Sequence, residues 1–137
     1  MSLVLDSSVP LAWLFEDEYS QQADATLHQV METSAIISSL WRLEVANALQ
    51  MAIRRNRIDT AFRDASLIDL AALAIVVDTE TDFQAWRTTL HLADRCGLTL
   101  YDAAYLELAQ RFELPLATLD QALCEAADVV NVPILRT

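Results

Sequence analysis

No lysine occurs anywhere in the 137 residues, and Gly97 is the only glycine. A phosphate-cradling loop, which needs several glycines and a lysine, is therefore excluded. Prolines number only three, while hydrophobic residues make up 54% of the chain, so it is neither disordered, collagen-like nor dominated by linkers. Cys96 and Cys124 are the only cysteines; no CxxC and no histidine at ligand spacing accompany them, so neither a zinc site nor a disulfide framework is expected. His28 and His91 are expected on the surface or in helix packing. The longest apolar run, "LAALAIVV" at 70–77, is far short of the roughly 20 residues that cross a bilayer, and should be buried in protein. "MSLVLDSSV" places no basic segment before its apolar residues and meets an acid at Asp6, unlike a signal or transit peptide. A cytoplasmic protein with no membrane association is the expectation.

What is abundant is acid. The formal charge is −11, which argues against a general nucleic-acid coat, since such affinity needs many basic contacts with phosphate. The charge is unevenly spread. Glu16 to Glu32 holds five acids and no base, whereas Arg42 to Arg63 holds five arginines against two acids. All nine basic residues are arginine, suited to bidentate contact with phosphate or carboxylate, although genomic base composition would produce the same bias.

The length suits one domain, here taken as 1–137, with a real core. "LVLD" at 3–6 reads as a strand ending in an acid, then Ser8 as an N-cap and Pro10 in the first turn of a helix carrying "LAWLF". A second helix fits 20–33, with Ala23, Leu27, Val30 and Met31 on its apolar face. "SAIISS" at 34–39 is a strand, and a helix over 40–56 should bury Trp41, Val45, Ala48, Leu49, Ala52 and Ile53. Further helices are expected over 60–73 and 81–95, the latter ended by Gly97, with the strand "AIVVD" at 74–78 between them. "LTLYDAAYLELAQRF" is a helix with Tyr101, Ala104, Tyr105, Leu108 and Phe112 at helical spacing. "LPLATLD" at 114–120 returns to strand, "QALCEAA" to helix, and "VNVPIL" gives a last edge strand. Short apolar strands alternating with helices predict a three-layer α/β fold, with a mostly parallel sheet of four to five strands between helices.

In such sheets the working crevice lies outside the carboxyl ends of the strands. Asp6 and Asp120 each close an apolar strand, Asp102 begins a helix, and Glu44 lies within the long helix after the second strand. If the first and fourth strands are neighbours, four acids can meet in one crevice. Ionised carboxylates packed together raise one another's pKa, and a divalent cation removes the conflict. Carboxylate ligands favour Mg²⁺ or Mn²⁺ over zinc, and a pair of such ions about 4 Å apart would activate a water for in-line attack on a phosphodiester. Structural readings stand beside this one. Thr99 to Asp102 fits a capping box, Asp120 can cap the next helix, Asp6 can organise the turn before Ser8, and a glutamate inside a helix is commonly solvated.

The ordered set resembles a PIN domain, in particular the VapC-type toxins of toxin–antitoxin pairs, over essentially the whole chain. "VLDSSVPLAWLF" is similar to the family's first motif and places its acid on Asp6; "LWRLEVANAL" is similar to the second, with Glu44 and then Asn47 one turn on. "LTLYDAAYLELA" resembles the third and assigns Asp102; "PLATLDQAL" followed by "VPIL" resembles the fourth and assigns Asp120. The resemblance implies a Mg²⁺- or Mn²⁺-dependent endoribonuclease, with Asp6, Glu44, Asp102 and Asp120 as metal and catalytic residues. It also implies a cognate antitoxin that holds the enzyme inactive, and a homodimer. Relatives often carry a further acid beside the fourth; here Gln121 follows Asp120, which leaves open how a second ion is held.

Ser8 and Thr118 could orient a carboxylate or phosphate, although turn and cap roles serve equally. Arg55 lies about 16 Å along the helix from Glu44, so with Arg54 and Arg57 it could track RNA phosphates, or simply complement the helix dipole. Trp13, Leu14, Phe15 and Leu27 could form an apolar groove for the antitoxin beside the acidic run, or belong to the core. Two other functions compete: a phosphohydrolase with Asp6 as nucleophile, which lacks a phosphate loop, and a PIN-like interaction module without nuclease activity.

Overall fold

The computed structural model describes residues 1–135. Four parallel strands, β1 (Leu3–Leu5), β2 (Ala35–Ile37), β3 (Ile75–Val77) and β4 (Leu116–Ala117), form a sheet in the order β3-β2-β1-β4. The chain steps outward from β1 to β2 to β3, then returns to place β4 on the other side of β1. The direction of winding therefore reverses between β1 and β4, and this is where an open α/β sheet offers its crevice.

β1 and β2 are wholly buried, as their unbroken apolar sequences require. β3 lies at the sheet edge, so the run at 70–77 is only partly covered: Leu70 is buried, but Val76 is exposed. At the opposite edge the expected fifth strand is reduced to a parallel bridge between Leu116 and Ile134. Pro133 has no N–H to extend a ladder, but its carbonyl accepts from Leu116 N at 2.8 Å.

The connecting helices are α1 (Ser8–Leu14), α2 (Gln21–Glu32), α3 (Trp41–Arg54), α4 (Thr60–Ala71), α5 (Thr81–Gln84), α6 (Thr88–Cys96), α7 (Leu100–Phe112) and α8 (Gln121–Val129). A short 3₁₀ turn at Glu16–Glu18 links α1 to α2. α3 buries Trp41, Val45, Leu49 and Ala52, while Ala48 and Ile53 are half-buried. α7 is buried over seven consecutive residues, Ala103 to Ala109, and packs on both β1 and α6. A helix covered on all sides sits at the centre of a domain, and this one carries Asp102 at its start.

Three local expectations change. Ser8 is the first residue of α1, not its cap; Ser7 stands at the cap position without a side-chain bond, and the Asp6 carboxylate takes the free N–H groups of Ser8 and Val9. The helix expected over 81–95 is broken into α5 and α6 around Ala85 to Arg87, where Trp86 is 89% exposed. Neither glycine nor proline marks that break. Met31, Tyr101 and Phe112, expected on apolar faces, are exposed. Gly97 does end α6 in the left-handed conformation, with φ 67°. No helix among the described residues is long and apolar enough to cross a membrane.

Candidate metal and nuclease site

Every strand ends in a buried polar residue. Asp78, Ser38, Asp6 and Thr118 follow β3, β2, β1 and β4 respectively, and the strand registers place them side by side across the carboxyl edge of the sheet. A strand that is apolar throughout must turn polar where it leaves the core, so this row is a product of the sequence pattern.

Asp6 occupies the winding reversal. It is only 4% exposed and accepts from Ser8 N at 3.0 Å, Val9 N at 3.3 Å and Ser8 Oγ at 2.7 Å through Oδ1, with the Thr118 hydroxyl on Oδ2. Trp41 Nε1 bonds its backbone carbonyl at 2.9 Å, tying the start of α3 to the end of β1. Burial pushes the Asp6 carboxyl up to about 6, although the hydroxyls of Thr118 and Ser8 and the N–H groups of Val9 and Ser8 oppose the shift. Ser8 and Thr118 thus orient a carboxylate, and Ser8 Oγ also accepts from Leu119 N at 2.9 Å.

Glu44 and Asp102 are half-buried neighbours on α3 and α7. Burial raises the pKa of Glu44, a hydrogen bond from the Tyr105 hydroxyl to its Oε1 opposes the rise, and the charge of Asp102 adds to it. Burial also raises Asp102, followed by the charge of Asp120, with the Thr99 hydroxyl acting in the opposite sense. Asp102 is held at the start of α7, where Thr99 Oγ1 accepts from Asp102 N at 3.2 Å. Asp120 is exposed and caps α8 through Leu123 N at 3.1 Å, while its own N–H bonds Thr118 Oγ1 at 3.0 Å. Capping and membership of the acidic group therefore coincide at Asp120, whereas the cap of α7 is Thr99 and Asp102 gives it only a backbone N–H. A depression of 430 Å³ lined by Ser8, Leu11, Ala12, Glu18, Leu119 and Asp120 opens beside them.

Charge acts along the acids from Glu44 to Asp102 to Asp120; Asp6 is joined to Asp120 through Thr118, and its charge acts on the Tyr105 hydroxyl. No three His, Cys, Asp or Glu side chains among the described residues gather closely enough to enclose an ion. The donor set is nonetheless one that suits a hard divalent cation: carboxylates and hydroxyls, with no cysteine or histidine. Mg²⁺ habitually takes one or two protein carboxylates and completes its shell with water, which is the arrangement these pairs permit.

Asn47 is exposed on α3, one turn beyond Glu44. Arg54, Arg55 and Arg57 are exposed around the C-terminal end of α3. Arg57 is occupied: it binds Asp17 at 3.0 and 3.1 Å and stacks over Phe15 at 4.5 Å. Trp13, Leu14 and Phe15 line a cleft of 1030 Å³ with Ile58, Phe62, Asp17, Arg57 and Asp59. That cleft contains none of the four acids, and Leu27 is not part of its lining.

Three features escape a reading of the sequence. Tyr105 falls at a core spacing and is indeed buried, yet its hydroxyl binds Glu44. Ser38 ends β2 beside Asp6. Asp78 is bound bidentately by Arg111 at 2.7 and 3.0 Å, and Arg111 also holds Glu107 at 2.8 and 3.0 Å. The signal available for Asp78 is an acid closing an apolar strand, the same signal that marks Asp6 and Asp120.

Residues 3–129 match the family model described as PIN domain. Ribonuclease VapC3 of Pyrobaculum aerophilum is 30% identical over 133 residues, covering 97% of this chain and 100% of that protein. The crystal structure of PAE2754, also from Pyrobaculum aerophilum, superposes with TM-score 0.68 at 26% identity, over 92% of this chain and 79% of that one. VapBC2 from Rickettsia felis, solved with a DNA fragment from its promoter, gives TM-score 0.66 at 11% identity over 98% of both chains, a likeness of fold. A domain model spanning most of the sequence and a relative aligned almost end to end give one answer: the chain belongs to the PIN domain family.

Proposed function

We propose that this protein is a Mg²⁺- or Mn²⁺-dependent endoribonuclease and the toxin of a type II, VapBC-like toxin–antitoxin pair. The observation that carries the reading is the coupled run Glu44, Asp102 and Asp120 beside buried Asp6 at the reversal of the sheet. The 30% identity to a ribonuclease VapC over the whole of that protein supports it. When bound, Mg²⁺ or Mn²⁺ supplies neutralisation of these charges and acidifies a water for attack on phosphorus. The chain supplies placement. Ser8 and Thr118 fix Asp6, Tyr105 fixes Glu44, and the starts of α7 and α8 present Asp102 and Asp120, where helix N-terminal dipoles favour an incoming phosphate. Cleavage of a mixed RNA pool by the purified protein in Mg²⁺ or Mn²⁺, abolished by EDTA, is the expected result. Absent cutting would shift the reading to a PIN-like interaction module, and cutting by the purified protein that resists EDTA would remove the metal from the reading.

The antitoxin is assigned to the cleft beside Trp13 and Phe15. Its apolar floor suits the nonpolar face of a partner segment, and Glu16, Asp17 and Asp59 at its margin suit that segment's basic residues. A basic amphipathic peptide should bind wild-type protein and lose affinity on Trp13→Ala/Phe15→Ala; full-strength binding to the variant removes the assignment. A homodimer is part of the same proposal, since Leu43, Phe83, Trp86 and Tyr101 leave large apolar side chains exposed. Sedimentation velocity should give a dimer mass that Trp86→Ser lowers, and a monomeric wild type would contradict it.

A further inference from the structure

Glu44 has a placement problem that the other acids lack. Asp6, Asp102 and Asp120 have short side chains next to a strand end or helix start, and each is close to backbone that limits its rotation. Glu44 lies within α3, has one more torsion than aspartate and is half-buried. Left to itself, its carboxylate would spread over several rotamers.

One hydrogen bond, set in place by buried neighbours, removes that freedom. Leu40 N donates to Ser38 Oγ at 3.3 Å, so the Ser38 oxygen is engaged as an acceptor and its proton is available. The Ser38 hydroxyl acts on that of Tyr105, and Tyr105 directs its single proton to Glu44 Oε1. Tyr105 is 1% exposed in the core and Ser38 is also 1% exposed, so neither side chain can drift. Ser38 follows β2, Tyr105 lies in the middle of α7 and Glu44 within α3, so the group joins three elements. Tyr105 lies three residues after Asp102, a spacing that sets both on one face of α7.

We propose that Tyr105 is the positioning residue of the site: backed by Ser38, its hydroxyl locks Glu44 in register with Asp102, so that the two carboxylates are presented together to a divalent cation. A tyrosine serving only to fill the core would be replaced by phenylalanine without consequence for the site. The inference rests on the metal-nuclease reading above, and its test separates the two.

Free Mn²⁺ measured by electron paramagnetic resonance gives ion affinity without reference to catalysis. Tyr105→Phe should fold and weaken Mn²⁺ binding about tenfold, the scale of outer-shell effects on metal sites. In RNA cleavage it should lower kcat with KM for RNA unchanged. Ser38→Ala, which leaves the ring in place, should weaken Mn²⁺ binding in the same direction and by less, and it carries the test should Tyr105→Phe not fold. Adding Tyr105→Phe to Glu44→Gln should cause no further loss, because the hydroxyl acts through that carboxylate. Wild-type Mn²⁺ affinity and kcat in folded Tyr105→Phe, or losses that add in the double variant, would overturn the positioning role while leaving the nuclease reading intact. A wild-type protein that binds no Mn²⁺ would overturn both, and the failure would show before any variant is made.

Discussion

At the scale of single residues, Asp6 makes the sharpest prediction. Its carboxyl ionises near the ordinary 3.8 when unfolded and at about 6 when folded, because burial disfavours the charge. Between those pH values the folded state holds more protons than the unfolded one, so the metal-free protein loses stability as pH rises. Above about pH 6 both states are ionised, and the charged, buried Asp6 costs about 3 kcal/mol. Urea unfolding of metal-free protein should show this decline between about pH 4 and 6, and Asp6→Asn should flatten it. Equal pH slopes in both proteins would contradict the assignment. Added Mn²⁺ should stabilise wild type more at pH 7.5 than at pH 5, since a protonated Asp6 cannot ligate.

Asp6, Asp120 and Asp102 stand out in the sequence because each closes an apolar strand or starts a helix, whereas Glu44, inside a helix, stands out only as one of an ordered set of motifs. Their partners do not. Tyr105 sits where hydrophobic spacing alone explains it and Ser38 where an ordinary strand end does, and nothing local in the sequence says that the Tyr105 hydroxyl meets a glutamate 61 positions away. Asp78 gives the same signal as Asp6 but is matched by Arg111, a pairing that only the fold creates. A strand-end acid is therefore a marker of the sheet edge, and its charge partner decides whether it serves a site or a clasp.

At the scale of elements, that clasp fastens the end of α7 to the end of β3. Burial raises the Asp78 carboxyl, but hydrogen bonds from Arg111 and Thr81 outweigh it and leave its pKa below the ordinary value. Arg111→Met would strand Asp78 and Glu107, whose side chains are 3% and 5% exposed, and should lower stability by about 3 kcal/mol in denaturant unfolding. A loss below about 0.5 kcal/mol would show the clasp to be dispensable. Element types and order follow from apolar periodicity, and Gly97 marks its helix end by the one chemical feature that favours a left-handed residue. The break between α5 and α6 is invisible in the sequence because no residue there prohibits a helix. The edge positions of β3 and Ile134 depend on strand order, which periodicity does not encode.

At the scale of the whole molecule, a chain of charge −11 has to admit a polyanion. Two bound divalent ions would bring the formal charge to −7, with relief concentrated at the carboxylates. Arg54 and Arg55 remain exposed at the end of α3, while Arg57 is paired with Asp17 at the cleft beside Phe15. Reversing the charge of Arg54 and Arg55 should weaken binding of single-stranded RNA and reduce its salt slope by about 0.7 for each phosphate no longer neutralised. Unchanged affinity and slope would remove α3 from the RNA path. The same position of Arg57 allows a partner in the cleft to compete with Asp17 for it.

Whether the acids work together as a metal-binding nuclease site, beyond their duties as helix caps, is decided by Asp102→Asn. Asparagine keeps the shape of the side chain and removes the charge that couples Glu44 to Asp120. Cleavage of RNA in Mn²⁺ should fall to the EDTA background in a variant that remains folded. Metal-dependent cleavage at the wild-type rate by folded Asp102→Asn would leave that carboxylate with a structural role alone and the metal-nuclease site without its central member.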